Sequence, residues 1–162
     1  MKNRLTQFIT YFIFWMLLTW SINIQDVLAG VVVSLIAIAL TRDLFPEEMA
    51  KFLSPVRGLW AVLYLIYLTY YIILANFDVA YRVIHPALPI RPGIVKVKTG
   101  LKSEMARTML ANSITLTPGT LSVDVDGEDY YIHWINISTD DPEEQKRIII
   151  SRFEWMLRRV FE

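Results

Sequence analysis

Between Arg57 and Asp78 lie 20 residues without a charge, GLWAVLYLIYLTYYIILANF. Wound as a helix at roughly 1.5 Å per residue, this run is about 30 Å long, the thickness of a bilayer's hydrocarbon core. On length alone it should span. The chain as a whole agrees, with 54% hydrophobic residues, too apolar on average for an ordinary small soluble domain. Sixteen basic residues balance sixteen acidic ones, so no net charge draws the chain toward nucleic acid. The absence of cysteine excludes disulfides, thiolate metal sites and cysteine nucleophiles.

Two further apolar runs precede this one, 21 uncharged residues between Arg4 and Asp26 and 15 between Asp26 and Arg42. They read as a helical hairpin turning at Ser21 to Asp26, with spans at about 5–24 and 27–41 and a third at 58–78. The second arm is short, roughly 22 Å, so thinned lipid or neighbouring helices must accommodate it. Lys2 and Arg4 resemble the basic start of a signal peptide, but the apolar run is too long for one and lacks a small-x-small cleavage site. Trp15, Trp20 and Trp60 suit interfacial belts or helix packing. If all three runs cross, Lys2, Arg4, Arg42, Lys51 and Arg57 face Arg82, Arg91 and Lys96 across the membrane, a weak vote for an inside N-terminus and an outside tail.

The runs hold no ionisable residue away from their ends. Ion and proton pathways need such residues, so this chain by itself is a poor candidate for a pump or channel. Asp26 and Asp78 read as solvated helix ends, and Thr19, Ser34, Thr69 and Asn76 as helix–helix hydrogen-bonding candidates. The third helix should continue to about Ile84, with Asp78 and Arg82 paired at i,i+4. His85 has no metal-ligand spacing around it and reads as an interfacial or capping residue.

Residues 85–93 form a stiff linker, with Pro86, Pro89, Arg91, Pro92 and Gly93. Beyond it, from 94 to 162, the pattern changes to that of a water-facing α+β domain. Ile94 to Thr99 alternates as a half-exposed strand, Val95 and Val97 opposite Lys96 and Lys98. Ser103 can cap a helix to about Asn112, with Met105, Ala106, Met109 and Leu110 inward. Thr120 to Val125 alternates again, predicting Leu121, Val123 and Val125 inward and Thr120, Ser122 and Asp124 outward. Asp126-Gly127 marks a hairpin turn, and Tyr130 to Ile137 is the returning strand, with Tyr130 and Trp134 as core. Asp141 as N-cap, Pro142 at N1 and Glu144 at the capping-box position start a last helix with Ile149, Phe153, Met156, Leu157 and Val160 as its buried stripe. Arg158 and Arg159 suit its C-terminal dipole. The order β-α-β-β-α is that of a ferredoxin-like, split βαβ arrangement short of one edge strand.

Chemistry-bearing motifs are scarce in this domain. Ser113, Ser122, His133 and Asp124 supply the residue types of a hydrolase, but no nucleophile elbow surrounds either serine, and alternation alone accounts for Ser122 and Asp124. No phosphate-cradling glycine loop or metal motif occurs, and the lysines of the first strand read as a solvated edge, not a nucleic-acid patch.

The linker Pro89-Ile90-Arg91-Pro92-Gly93, the stretch Leu110-Ala111-Asn112-Ser113-Ile114-Thr115-Leu116-Thr117-Pro118-Gly119-Thr120-Leu121 and the strand Tyr131-Ile132-His133-Trp134-Ile135 closely resemble the E subunit of the multisubunit Mrp (Mnh) sodium/proton antiporter. The resemblance covers essentially the whole chain. It implies an accessory, non-catalytic subunit in a bacterial plasma-membrane complex, needed for assembly and so for cation/proton exchange. The implied partners are the other antiporter subunits and the lipid bilayer, with no cofactor, no nucleic acid and no small-molecule substrate bound by this chain alone. It also implies a cytoplasmic tail, against the charge count. A membrane-anchored adaptor whose tail docks a soluble partner is the competing reading. Within the family-like stretch, Asn112, Thr115, Thr117, Pro118, Gly119 and Thr120 read as a structural corner between helix and strand, with hydroxyls available to backbone groups freed there.

Overall fold

The computed structural model describes residues 2–41 and 54–162. Arg42 and Lys51 of the charge count lie outside the described residues. The chain divides into two compact units, 1–54 and 55–162.

The first unit is a hairpin of two helices, α1 (Lys2–Thr19) and α2 (Ile24–Leu40). The turn comes earlier than the pattern predicts: α1 ends at Thr19, Trp20 adopts a left-handed φ of 50°, and Asp26 already sits in the first turn of α2. Asp26 accepts a hydrogen bond from the Ser21 hydroxyl, and its carbonyl accepts one from Trp15 Nε1 at 2.9 Å. Small residues let the helices approach. A Cβ on Gly30 would lie 2.5 Å from the Trp15 ring, and neighbouring Ser34 is fully buried. The polar residues read as helix–helix hydrogen-bonding candidates bond within their own helices. Thr19, Ser34, Thr69 and Asn76 each donate to a carbonyl four residues back on their own helix, which satisfies one donor locally.

The second unit holds a long helix and a small α/β layer. α3 (Pro55–Ile84) has 30 residues and is, among the described residues, the one helix long and apolar enough to cross a membrane; α2 is apolar but shorter. Next come β1 (Gly93–Lys98), α4 (Glu104–Leu116), β2 (Thr120–Asp126), β3 (Asp129–Trp134) and a final helical stretch. That stretch comprises α5 (Pro142–Lys146), a π-helical turn (Arg147–Ser151) and α6 (Arg152–Phe161). The sheet has the order β1-β3-β2, with β3 antiparallel to both neighbours. β1 and β2 are therefore parallel with β3 between them, which is the expected split βαβ pattern.

The core of this unit lies between one face of the sheet and the helices. Val95 and Val97 of β1 and Tyr130 and Ile132 of β3 meet Ala106, Leu110 and Ile114 of α4, and Ile149, Ile150, Phe153 and Leu157, all buried. Ser103 caps α4 by accepting from the Ala106 N–H, and Asp141 caps α5 by accepting from the Glu143 N–H. The predicted capping box is not formed: Thr139 Oγ1 accepts the Asp141 N–H, and Glu144 turns to Arg147 at 2.9 Å. The π-helical turn, unforeseen, adds a residue where the stripe passes and buries Ile149 and Ile150 side by side.

The orientation of β2 is the main correction. Leu121 and Val123 are exposed, whereas Thr120 and Ser122 turn toward α4. Ser122 Oγ donates to the Ala111 carbonyl at 3.0 Å, and a bulge between Ser122 and Asp124 shifts the register beyond it. α4 also runs one turn past Asn112, to Leu116, because Ser113 and Thr117 return their hydroxyls to the helix's own carbonyls. β3 ends at Trp134, not Ile137; Ile135 instead donates to the Gly119 carbonyl and accepts from the Arg91 N–H, and Ile137 donates to the Arg91 carbonyl.

Candidate functional site

The family-like stretch closes a corner between α4 and β2, facing a cleft of about 610 Å³ floored by α3. Pro118 has no N–H to continue α4, and Gly119 turns the chain with φ +89°, a conformation that a side chain would strain. A Cβ there would also lie 3.0 Å from Ile135 and 3.4 Å from Val79 of α3. The hydroxyls tie the turn together. Thr117 Oγ1 donates to the Ser113 carbonyl at 2.8 Å, and Thr120 Oγ1 to the Ile114 and Thr117 carbonyls at 2.7 and 2.9 Å. Thr115 Oγ1 accepts the Ser122 N–H. Asn112 is exposed on α4, away from this network.

The Pro-rich stretch lies inside the second unit and is strapped to both its neighbours. Arg82 holds Asp78 through two bonds, at 2.8 and 3.0 Å, and donates to the Pro89 carbonyl at 2.6 Å. The Arg91 backbone pairs with Ile135 and Ile137, and its side chain reaches Asp140 at 3.0 Å. Pro92 is exposed, and Gly93, which starts β1, leaves space that Ile137 fills; a Cβ would meet it at 2.6 Å. His85 accepts the Ala87 N–H through Nδ1, a local capping role.

The hydrolase-like residues are not brought together. Ser113 donates to the Met109 carbonyl and meets the Tyr64 hydroxyl of α3, while Ser122 is engaged by Ala111. His133 pairs in register with Ile94 and Leu121 and so lies on the opposite face of the sheet from Ser122, which pairs with Ile132. Among the described residues no group of three or more histidine or carboxylate side chains is placed to hold a metal ion.

Electrostatics here are those of packing. Burial raises the Tyr130 phenol to about 12, and its hydroxyl donates to the Arg107 carbonyl at 2.8 Å. Lys96 lies 2.9 Å from Asp129, holding that carboxyl below its ordinary range, and the same bond raises Lys96. Burial lowers the Arg152 guanidinium, which sits over the Tyr71 ring.

A feature not anticipated from the sequence is a row of aromatic and cationic contacts along α3. Arg57 donates to the carbonyls of Val160 and Glu162, Trp60 packs edge-on to Trp155 beneath Arg159, Tyr64 meets Ser113, and Tyr67 and Tyr71 pack on Phe153. The signal was present as aromatics at 60, 64, 67 and 71, helical spacing on one face of an otherwise largely aliphatic run.

Comparison with known proteins gives this arrangement its place. Residues 8–160 match the family described as Na+/H+ ion antiporter subunit. The chain belongs to the family of antiporter E subunits. It is 36% identical over 149 residues to the Na(+)/H(+) antiporter E subunit of Alkalihalophilus pseudofirmus, covering 91% of each chain. It is 33% identical over 152 residues to the Na(+)/H(+) antiporter E1 subunit of Staphylococcus saprophyticus, 93% of this chain and 91% of the relative. A chain in the solved structure of the membrane-bound sulfane sulfur reductase, an archaeal respiratory membrane complex, shares the fold with a TM-score of 0.89 and 43% identity. The match covers 99% of this E-subunit chain and 100% of that one.

Proposed function

We propose that this chain is an accessory, non-catalytic subunit of a multisubunit monovalent cation/proton antiporter, required for assembly of the complex and thereby for exchange. Its partners are the other antiporter subunits, and it resides in the bacterial plasma membrane with its α/β domain in the cytoplasm. Membership in the antiporter E-subunit family carries the reading. The absence of ionisable side chains from the middle of α1, α2 and α3 supports it, because conduction needs such groups in the bilayer and other subunits must supply them. The α1–α2 hairpin serves as a membrane anchor that crosses twice.

Reconstitution of the remaining subunits without this chain tests the proposal. The expected result is loss of the intact complex and of sodium-driven proton movement in vesicles; unchanged assembly with full exchange overturns it. The adaptor alternative is favoured by one observation, the exposed apolar residues Ile94, Leu121 and Val123 on the outer face of the sheet. An adaptor would migrate apart from any antiporter complex on native gels of gently solubilised membranes.

A further inference from the structure

The length and hydropathy of α3 suit a membrane crossing, but its packing does not. From Arg57, bonded to the last carbonyls of the chain, to Arg82, bonded to Pro89, the helix lies lengthwise on the α/β domain. That is roughly 38 Å of helix axis at 1.5 Å per residue. The same compact domain exposes Lys96, Lys98, Lys102, Glu104, Asp124 and Glu128. Were α3 to cross hydrocarbon with its packing intact, these charges would be drawn in beside it, at a cost no ordinary bilayer accommodates.

We propose that α3 lies in the plane of the membrane surface and does not cross. Its outward face sinks into the headgroup–acyl boundary of the lipid, and the α/β domain sits behind it in water. The outward face carries Leu59, Val62, Ile66, Ile73 and Phe77, all exposed, with no charge among residues 58–77. Along its flank runs the row Arg57, Trp60 with Arg159, Tyr67 with Trp155, and Tyr71 with Arg152. Aromatic and cationic anchors of a crossing helix sit at two levels a bilayer apart; a row parallel to the axis marks a helix that follows one interface.

The distribution of basic residues agrees independently. If α1 and α2 cross and α3 does not, Lys2, Arg4, Arg42, Lys51, Arg57, Arg82, Arg91 and Lys96 all fall on one side, and the α1–α2 turn, Trp20 to Gln25, carries no basic residue. Three crossings place Arg82 and Arg91 opposite the other flanking basic residues; with two, the basic residues near the span ends all lie on one side, as the positive-inside rule expects. A transmembrane protein partner could also cover an apolar face, but would not call for a continuous cation–aromatic row at headgroup depth.

Single cysteines at Leu59, Val62, Ile66, Ile73 and Phe77, in a chain with none of its own, can carry nitroxide labels in the full complex reconstituted into phosphatidylethanolamine/phosphatidylglycerol vesicles. The expected result is oxygen accessibility at every site and a uniform depth, about 5–10 Å below the headgroups. A depth profile that peaks near Ile66 at about 15 Å, the bilayer midplane, means a crossing helix and overturns the proposal. Labels shielded from both oxygen and aqueous reagent mean a protein partner and overturn it equally. A short bis-maleimide joining Trp60→Cys to Trp155→Cys in the same vesicles is expected to form a crosslink; its absence shows α3 detached from the domain and also overturns the proposal. The inference rests on a membrane location and is separable from the assembly role, since a subunit needed for assembly can carry α3 in either placement.

Discussion

The two compact units are built inside out relative to one another. In the α1–α2 hairpin the buried positions are Thr6, Gln7, Gly30 and Ser34, while Phe14, Leu17, Leu28, Leu35 and Ile36 face outward. In the α/β layer Leu110, Ile114, Ile132, Ile150 and Leu157 are fully buried, and lysines and carboxylates face outward. The contrast is the one expected if the hairpin lies in lipid, as proposed above, and the α/β layer in water. In lipid, apolar side chains gain nothing by leaving the surface, so small residues that permit close backbone approach occupy the helix contact. In water the apolar residues themselves drive the packing.

The largest expected departure between the units comes from truncating a large apolar side chain in each. Phe153→Ala leaves a cavity in the α/β core and is expected to cost about 3–5 kcal/mol in chemical denaturation of the domain. Ile36→Ala, on the outward face of the hairpin, is expected to change thermal stability in detergent by no more than about 0.5 kcal/mol. Equal losses would break the comparison.

Glycine substitutions sharpen it at the next level. Gly119→Val meets both a left-handed φ and Ile135, at an expected cost of about 1–3 kcal/mol from strain alone, read as lost protease resistance of the tail. Gly30→Val has no backbone strain to overcome but would strike Trp15, so the hairpin should open while the tail keeps its resistance. Loss of tail resistance in the Gly30 variant would contradict the independence of the two cores.

Tyr130 predicts a smaller, pH-dependent effect confined to the α/β unit. Its folded-state pKa, raised to about 12, exceeds the unfolded value. The resulting stabilisation is present in full below about pH 10 and declines as pH rises through the folded value. Tyr130→Phe should remove that alkaline slope and expose the Arg107 carbonyl's lost partner as about 1 kcal/mol at neutral pH, measured by urea titration.

The smallest effect belongs to Asp129. Its depressed pKa, set chiefly by the bond to Lys96, contributes stability above the ordinary carboxyl range that is lost as pH falls through the folded value. Asp129→Asn should flatten the acid limb of the tail's unfolding curve slightly, and no change at all would show the pair to be screened by solvent.

Sequence alone determined what depends on near neighbours along the chain. The three apolar runs, the β-α-β-β-α order, the caps at Ser103 and Asp141, the Asp-Gly hairpin and the bend at Pro118-Gly119 follow from periodicity, side-chain acceptors and restricted backbone angles. Pro118 and Gly119 were legible there because Pro and Gly act locally, whereas Asn112, read as part of the corner, lies exposed on α4. Tertiary structure decided which face each element turns inward. In β2, Thr120 and Ser122 alternate with Leu121 and Val123, so either face suits a strand, and the bond from Ser122 to α4 selects the polar one. In α3, nearly every position from Gly58 to Phe77 is apolar or aromatic, and the aromatics at 60, 64, 67 and 71 mark one side without naming what is buried; Tyr64 and Leu68 become the inner face because α4 and α6 lie against that side, with Trp60, Tyr67 and Tyr71 on its flank. Periodicity can tell apolar from polar, but where both faces satisfy it, the partner across the contact makes the choice.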